Sequence, residues 1–167
     1  MTLQLTKKHS FDMVYDSQKV YRLILEAMSY PGRIVNIKVY ADKLYGNSPE
    51  LLAVAMTLLD NEVGFYAEQA LSDEIAMLTL SKKTDMESAD FIFVFNYENL
   101  SEAIEKAKCG TLADPHKSAT VIIYDVNLKK QAVALRDAQN YEYPQGIDMI
   151  FISKTGDLFA VPRLAVI

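Results

Sequence analysis

Phe91-Ile92-Phe93-Val94-Phe95 is an unbroken apolar run of strand length, and Ala119-Thr120-Val121-Ile122-Ile123-Tyr124 nearly repeats it. A strand with one wet face alternates apolar and polar residues, whereas one that is apolar throughout is covered on both sides. The pair therefore predicts a sheet with helices packed on both faces. Residues 63–67 read as another short strand, and 33–40 as a half-buried one, with Val35, Ile37 and Val39 facing one way and Asn36 and Lys38 the other. Residues 131–136 are a short candidate strand.

The chain ends in a hairpin signal. Tyr143-Pro144-Gln145-Gly146 leads into an apolar strand over 147–151, Lys154-Thr155-Gly156-Asp157 makes a turn, and a second strand over 158–162 halts at Pro162. Between the strands lie helical patterns. Val20, Leu23, Ile24, Ala27 and Met28 recur at three-four spacing, with Asp16 or Ser17 as the cap and Ser29-Tyr30-Pro31-Gly32 as the stop. Ser48-Pro49-Glu50 opens a helix running to Leu59: a capping hydroxyl, proline in the first turn, then a carboxylate at the positive end of the dipole. Ser72-Asp73-Glu74 is read as capping a helix to Leu80. Residues 100–108 read as a helix closed by Cys109-Gly110, and the polar stretch 81–90 as a loop or frayed helix end. The early strands alternate with helices and the last ones meander, so the expected fold class is α/β, a three-layer domain with a mixed sheet.

The 167 residues, half of them apolar, suit one domain over residues 1–167 with a full core. The lone Cys109 excludes an internal disulfide and every cysteine-cluster metal site. No apolar window approaches the roughly 20 residues that span a bilayer, and Met1 to His9 leads into no apolar run of signal length. A cytoplasmic protein with no membrane association is expected. The net charge of −5 is dispersed, and the arginines are only four: Arg22, Arg33, Arg136 and Arg163. A nucleic-acid surface needs a clustered basic face, so nucleic acid is not an expected partner.

Tests for recognisable chemistry are mostly negative. Neither a phosphate-binding lysine loop nor a Gly-x-Gly-x-x-Gly fingerprint is present. His116, in Asp114-Pro115-His116-Lys117, lies in a loop before a strand, where binding residues concentrate, though a solvated turn is the plainer reading. Asp60-Asn61-Glu62 puts carboxylates between a helix end and a strand, where they could bind a metal or orient a hydroxyl; Asp and Asn are also simply favoured where a helix ends in a turn. Cys109 reads as a small buried hydrophobe rather than a nucleophile. Gly146 permits close backbone approach at a strand entry, and Asp148 puts a charge where a strand begins. Pairing the hairpin strands leaves Asp148 and Arg163 near the same end, so a structural salt bridge stands ahead of a ligand role.

Four blocks of the chain also resemble a family. Val20-Tyr-Arg-Leu-Ile-Leu-Glu-Ala-Met-Ser-Tyr-Pro-Gly-Arg-Ile34 is similar to the opening motif of PhnH, a subunit of the carbon–phosphorus lyase system of phosphonate catabolism. Thr57-Leu-Leu-Asp-Asn-Glu62, the segment Cys109 to Ile123 and the closing stretch Tyr143 to Leu164 resemble its later motifs in order. One departure is a short bridge, Leu135 to Glu142, where the family has a longer segment with a helix before its last hairpin. The resemblance implies a fold like the large domain of pyridoxal-phosphate transferases without the cofactor site. No cofactor is expected, since no lysine has the flanking constellation of a Schiff-base site. It further implies a homodimer that joins PhnG, PhnI and PhnJ in the core complex making ribose 1-methylphosphonate 5-triphosphate, as a structural or accessory subunit with no catalytic residue of its own. Two readings compete with it. One is a free-standing binding module for an anionic nucleotide or phosphonate, using Arg33, Arg136, Arg163 and the His116 loop. The other is an independent enzyme whose pocket gathers Asp60, Asp148 and Arg163.

Overall fold

The computed structural model describes residues 9–166. Its centre is a mixed sheet of seven strands in the order β1-β7-β6-β5-β4-β2-β3. The strands are β1 (Val35–Asn36), β2 (Gly64–Tyr66), β3 (Lys82–Lys83), β4 (Phe91–Val94), β5 (Thr120–Ile123), β6 (Asp148–Ile152) and β7 (Asp157–Val161). Neighbours from β3 across to β6 pair in parallel; β7 is antiparallel to both β6 and β1. Among the described residues six α-helices accompany it: α1 (Tyr15–Ser29), α2 (Lys38–Ala41), α3 (Pro49–Leu58), α4 (Gln69–Thr79), α5 (Tyr97–Lys106) and α6 (Lys129–Ala138).

Side-chain alternation along the central strands sorts the core into two clusters. Phe93, Ile122, Ile150 and Ile152 pack with Val20 and Ile24 of α1, Leu51 to Met56 of α3, and Leu71 and Ile75 of α4. Ile92, Val94, Val121, Ile123, Met149 and Phe151 pack with Leu100, Ala103 and Ile104 of α5 and Ala132 of α6. Helices thus cover both faces of the mixed sheet, as the two apolar runs predict. Phe151 stacks on Phe159 across the hairpin at 4.8 Å between ring centroids, and each fully buried side chain of that size stabilises the fold by about 1.5–3 kcal/mol.

The closing hairpin forms with the expected pairing, Met149 opposite Val161 and Ile152 opposite Leu158. Its turn is held by packing on another element. Gly156 has φ +83°, and its carbonyl accepts the Ile37 N–H at 2.9 Å. A Cβ there would lie 2.7 Å from the Lys38 backbone nitrogen, so only glycine fits this approach.

Several local expectations are corrected. The alternation over 33–40 stops after Asn36, whose side chain bonds the Asp157 carboxylate at 2.8 Å and accepts the Lys38 N–H at 2.9 Å. The chain then turns into α2, leaving Val39 71 % exposed. Residues 131–136 lie within α6, where Ala132 and Arg136 are buried one helical turn apart. Alanine-rich sequence favours that helix over an edge strand. A helix therefore does precede the last hairpin in this chain.

Other boundaries move. α4 begins at Gln69, leaving Ser72 buried in its first turn rather than capping it. α5 begins after Asn96, whose side chain accepts the Asn99 N–H, and it ends at Lys106. Cys109 instead bridges Ser118. Asp12 caps α1 by accepting the Val14 and Tyr15 N–H groups, while Asp16 reaches back to the Asp12 N–H. Finally, the polar stretch 81–90 contains the edge strand β3, two exposed residues too few to show a period.

Candidate functional site

Strand order locates the site. From β2 the chain steps outward to β3 through α4 on one face; from β4 it steps the other way, to β5 and β6, through α5 and α6 on the other face. The reversal falls between β2 and β4. At such a switch point the loops part beyond the carboxyl ends of the strands and leave a crevice, where open α/β sheets bind ligands.

A cleft lies there in two lobes. One, of 380 Å³, is lined by Asn47, Ser48, Glu68, Leu71, Glu74 and Phe95. The other, of 530 Å³, shares Asn47, Ser48 and Phe95 and adds Tyr124, Asp125, Asn127 and Lys154. These residues follow the strands directly: Phe95 follows β4, Tyr124 and Asp125 follow β5, and Lys154 begins the turn after β6. Asn47 and Ser48 come from the start of α3. Phe95 and Tyr124 meet edge to face at 5.8 Å and form an apolar wall.

Beneath that wall sits a buried carboxylate. Glu50 is only 2 % exposed; it takes a 2.8 Å ion pair from Lys38 Nζ and a 2.7 Å bond from the Tyr124 hydroxyl. Burial, and then the Glu50 carboxylate it bonds, push the Tyr124 phenol well above its ordinary value. Hydrogen bonds to Glu50 and then Asp42 likewise raise Lys38. At neutral pH Lys38 is therefore an ammonium and Tyr124 a neutral phenol. The remaining acids differ. Glu68 accepts from Asn99, and Asp125 caps the turn at Val126–Leu128. Glu74 is half-buried and makes no bond or ion pair with any described residue. Among the described residues, no three His, Cys, Asp or Glu side chains gather closely enough to hold a metal ion.

Most of the residues singled out from the sequence lie at the opposite, amino-terminal edge of the parallel strands. There the structure joins Gly146, Asp148, Arg163 and the His116 loop into one knot. The Arg163 N–H donates to Asp148 at 2.8 Å, its guanidinium contacts Asp148 at 3.4 Å, and it also bonds the Pro115 carbonyl. A Cβ on Gly146 would lie 2.9 Å from the Arg163 Cβ, which explains the glycine. His116 itself points to solvent. Beside the knot a 320 Å³ depression is lined by Arg136, Asp137, Tyr141, Tyr143, Gln145 and Arg163. Burial and neighbouring Cys109 raise the Tyr141 phenol to about 12, against the pull of Arg136.

Arg136 bonds Asp137 and the carbonyls of Pro162 and Ala165, tying the C-terminal segment to α6. Asp60 and Asn61 stand apart from this group: Asp60 accepts the Glu62 N–H at the entry to β2, and neither residue lines the depression. Three strand spacings separate β2 from β6, on the order of 14 Å. The pocket of Asp60, Asp148 and Arg163 required by the independent-enzyme reading does not form. Arg33, which pairs with Glu26, is also elsewhere.

Sequence reasoning missed the cleft residues Ser48, Glu50, Glu74, Tyr124 and Lys154. A signal existed for two of them: Tyr124 and Lys154 each lie at the carboxyl end of an apolar strand, where α/β sites concentrate.

A family model described as bacterial phosphonate metabolism protein (PhnH) matches residues 9–136, most of the chain. That span includes the first three of the family-like blocks, while the closing hairpin lies beyond it. No curated protein matches the chain.

Proposed function

The chain belongs to the PhnH family of bacterial phosphonate metabolism proteins, and from that premise we propose that it acts as an accessory, non-catalytic subunit of the carbon–phosphorus lyase core complex. In this reading it forms a homodimer and joins PhnG, PhnI and PhnJ in the assembly that makes ribose 1-methylphosphonate 5-triphosphate. Its likeness to a pyridoxal-phosphate transferase large domain without the cofactor belongs to the same proposal.

The observation that carries the reading is the outer face of α1. Tyr21 and Leu25, one helical turn apart, are 51 % and 53 % exposed, and they border an apolar groove of 240 Å³ with Met28, Leu58 and Phe91. Met13, Val14, Tyr15, Tyr30 and Ile34 extend the exposed apolar surface at both ends of the helix. A patch of this kind, larger than scattered surface residues, favours association with other chains. The arginines point the same way. Arg33, Arg136 and Arg163 are each engaged by carboxylates within the chain, which weakens their pull on a triphosphate.

Co-expression with PhnG, PhnI and PhnJ tests the proposal. The chain should co-elute with them on size exclusion, and Leu25→Glu should release it while leaving its melting temperature within a few degrees. Elution of the parent chain alone would overturn the reading. The binding-module alternative gains one specific observation, that Arg136 and Arg163 border the same depression. It requires heat on titrating the isolated chain with ATP or methylphosphonate, abolished by Arg163→Ala.

A further inference from the structure

We propose that the switch-point cleft binds a small zwitterion, an oxyanion at one end and an amine at the other, with Ser48, the start of α3 and Lys154 taking the oxyanion and Glu74 the amine. Three independent features converge on this. α3 is a ten-residue helix whose first turn is open: Pro49 has no N–H, and among the described residues no side chain caps the helix. The N–H groups of Glu50 and Leu51 are therefore available donors at the positive end of the dipole.

Ser48 supplies the second. It is 7 % exposed, lines both lobes, and its hydroxyl bonds neither the helix nor any other described residue. No described side-chain oxygen is both fully buried and unpaired, so the Ser48 hydroxyl opens onto the cleft, where it can bond a ligand. Lys154, with no ion-pair partner among the described residues, borders the same space. Nearby Glu50 does not oppose an anion there, because Lys38 and Tyr124 already neutralise and bind its carboxylate.

The third feature is Glu74, a half-buried carboxylate without a partner in the lobe that also contains Ser48. An anion alone would leave Glu74 unmatched, and a cation alone would leave Ser48 and the helix start unmatched. A molecule carrying both charges satisfies each, and 380 Å³ admits one of a few heavy atoms. Whether the oxyanion is a phosphonate or a carboxylate depends on the reading above; phosphonate metabolism favours the former.

The test is calorimetric titration of the full chain with 2-aminoethylphosphonate, β-alanine and methylphosphonate. Saturable heat is expected with 2-aminoethylphosphonate, and affinity weaker by about tenfold or more with methylphosphonate, which lacks the amine. Glu74→Gln should weaken 2-aminoethylphosphonate by a similar factor while leaving methylphosphonate unchanged. Ser48→Ala and Lys154→Gln should weaken both, with melting curves confirming that each variant folds. Equal binding of β-alanine would keep the zwitterion and remove the phosphonate preference. Absence of heat with all three ligands, or binding indifferent to every variant, would overturn the inference. Assembly with PhnG, PhnI and PhnJ is a separate readout, so either proposal can fail while the other stands.

Discussion

Replacing Gly156 by alanine should destabilise the protein far more than replacing Gly32, although both glycines have left-handed backbones, φ +83° and +90°. At Gly32 the added Cβ meets nothing within 4 Å. Its cost is the left-handed conformation alone, about 1 kcal/mol. At Gly156 the same atom would lie 2.7 Å from the Lys38 nitrogen and 2.8 Å from its Cα. Backbone atoms cannot rotate aside, so the turn or α2 must move. The bond from the Ile37 N–H to the Gly156 carbonyl then weakens, at about 1 kcal/mol, and overpacking adds about 1–2 kcal/mol. Gly156→Ala should lose about 3–4 kcal/mol in total, a fall in melting temperature of roughly 6–16 °C for a chain of this size, against roughly 2–4 °C for Gly32→Ala. Thermal unfolding followed by circular dichroism measures both. A function-level consequence follows, because shifting Lys38 disturbs its pairing with Glu50 below the cleft. If the two variants melt within about 2 °C of each other, the argued packing of the hairpin turn on α2 is wrong.

Tyr124→Phe removes the hydroxyl that binds the buried Glu50, and a hydrogen bond to a charged group at a partly buried site is worth about 1.5 kcal/mol; an unchanged urea midpoint would remove that bond from the account. Asp90 gives a pH prediction. Burial works to raise its pKa, but the Lys108 ammonium and the Gly64 N–H outweigh burial and hold it below the ordinary carboxylate value. Its folded value is therefore lower than its unfolded one, so its stabilisation is complete above about pH 4 and is lost as pH falls through the folded value. Asp90→Asn should flatten that acid decline in urea unfolding, and parallel curves for parent and variant would show the titration lies elsewhere. Arg136→Met should speed amide exchange in the segment after β7, since Arg136 bonds the Pro162 and Ala165 carbonyls; unaltered exchange there would mean the segment is held by other contacts.

What the amino-acid sequence by itself determined was everything expressed as a pattern along a few consecutive residues. Phe91 to Phe95 and the run ending at Tyr124 declared a sheet covered on both faces, because unbroken apolarity has no other use in a short strand. Pro31-Gly32 stopped α1, Pro49 opened α3, and Gly156 marked the hairpin turn, each through a backbone constraint local to that residue. Where local patterns were ambiguous, packing decided. Residues 131–136 became helix and 38–41 left the strand, since six residues fit either period and Asn36 bonded across to Asp157.

The site belonged to tertiary structure altogether. Asp148 and Arg163 could be paired from hairpin register, which is nearly a local property. Ser48, Glu74, Phe95, Tyr124 and Lys154 are scattered over more than half the chain. They share one cleft because β2 and β4 became neighbours with their connections running opposite ways. Strand order is set by which buried faces fit together in three dimensions, and no spacing along the chain encodes it.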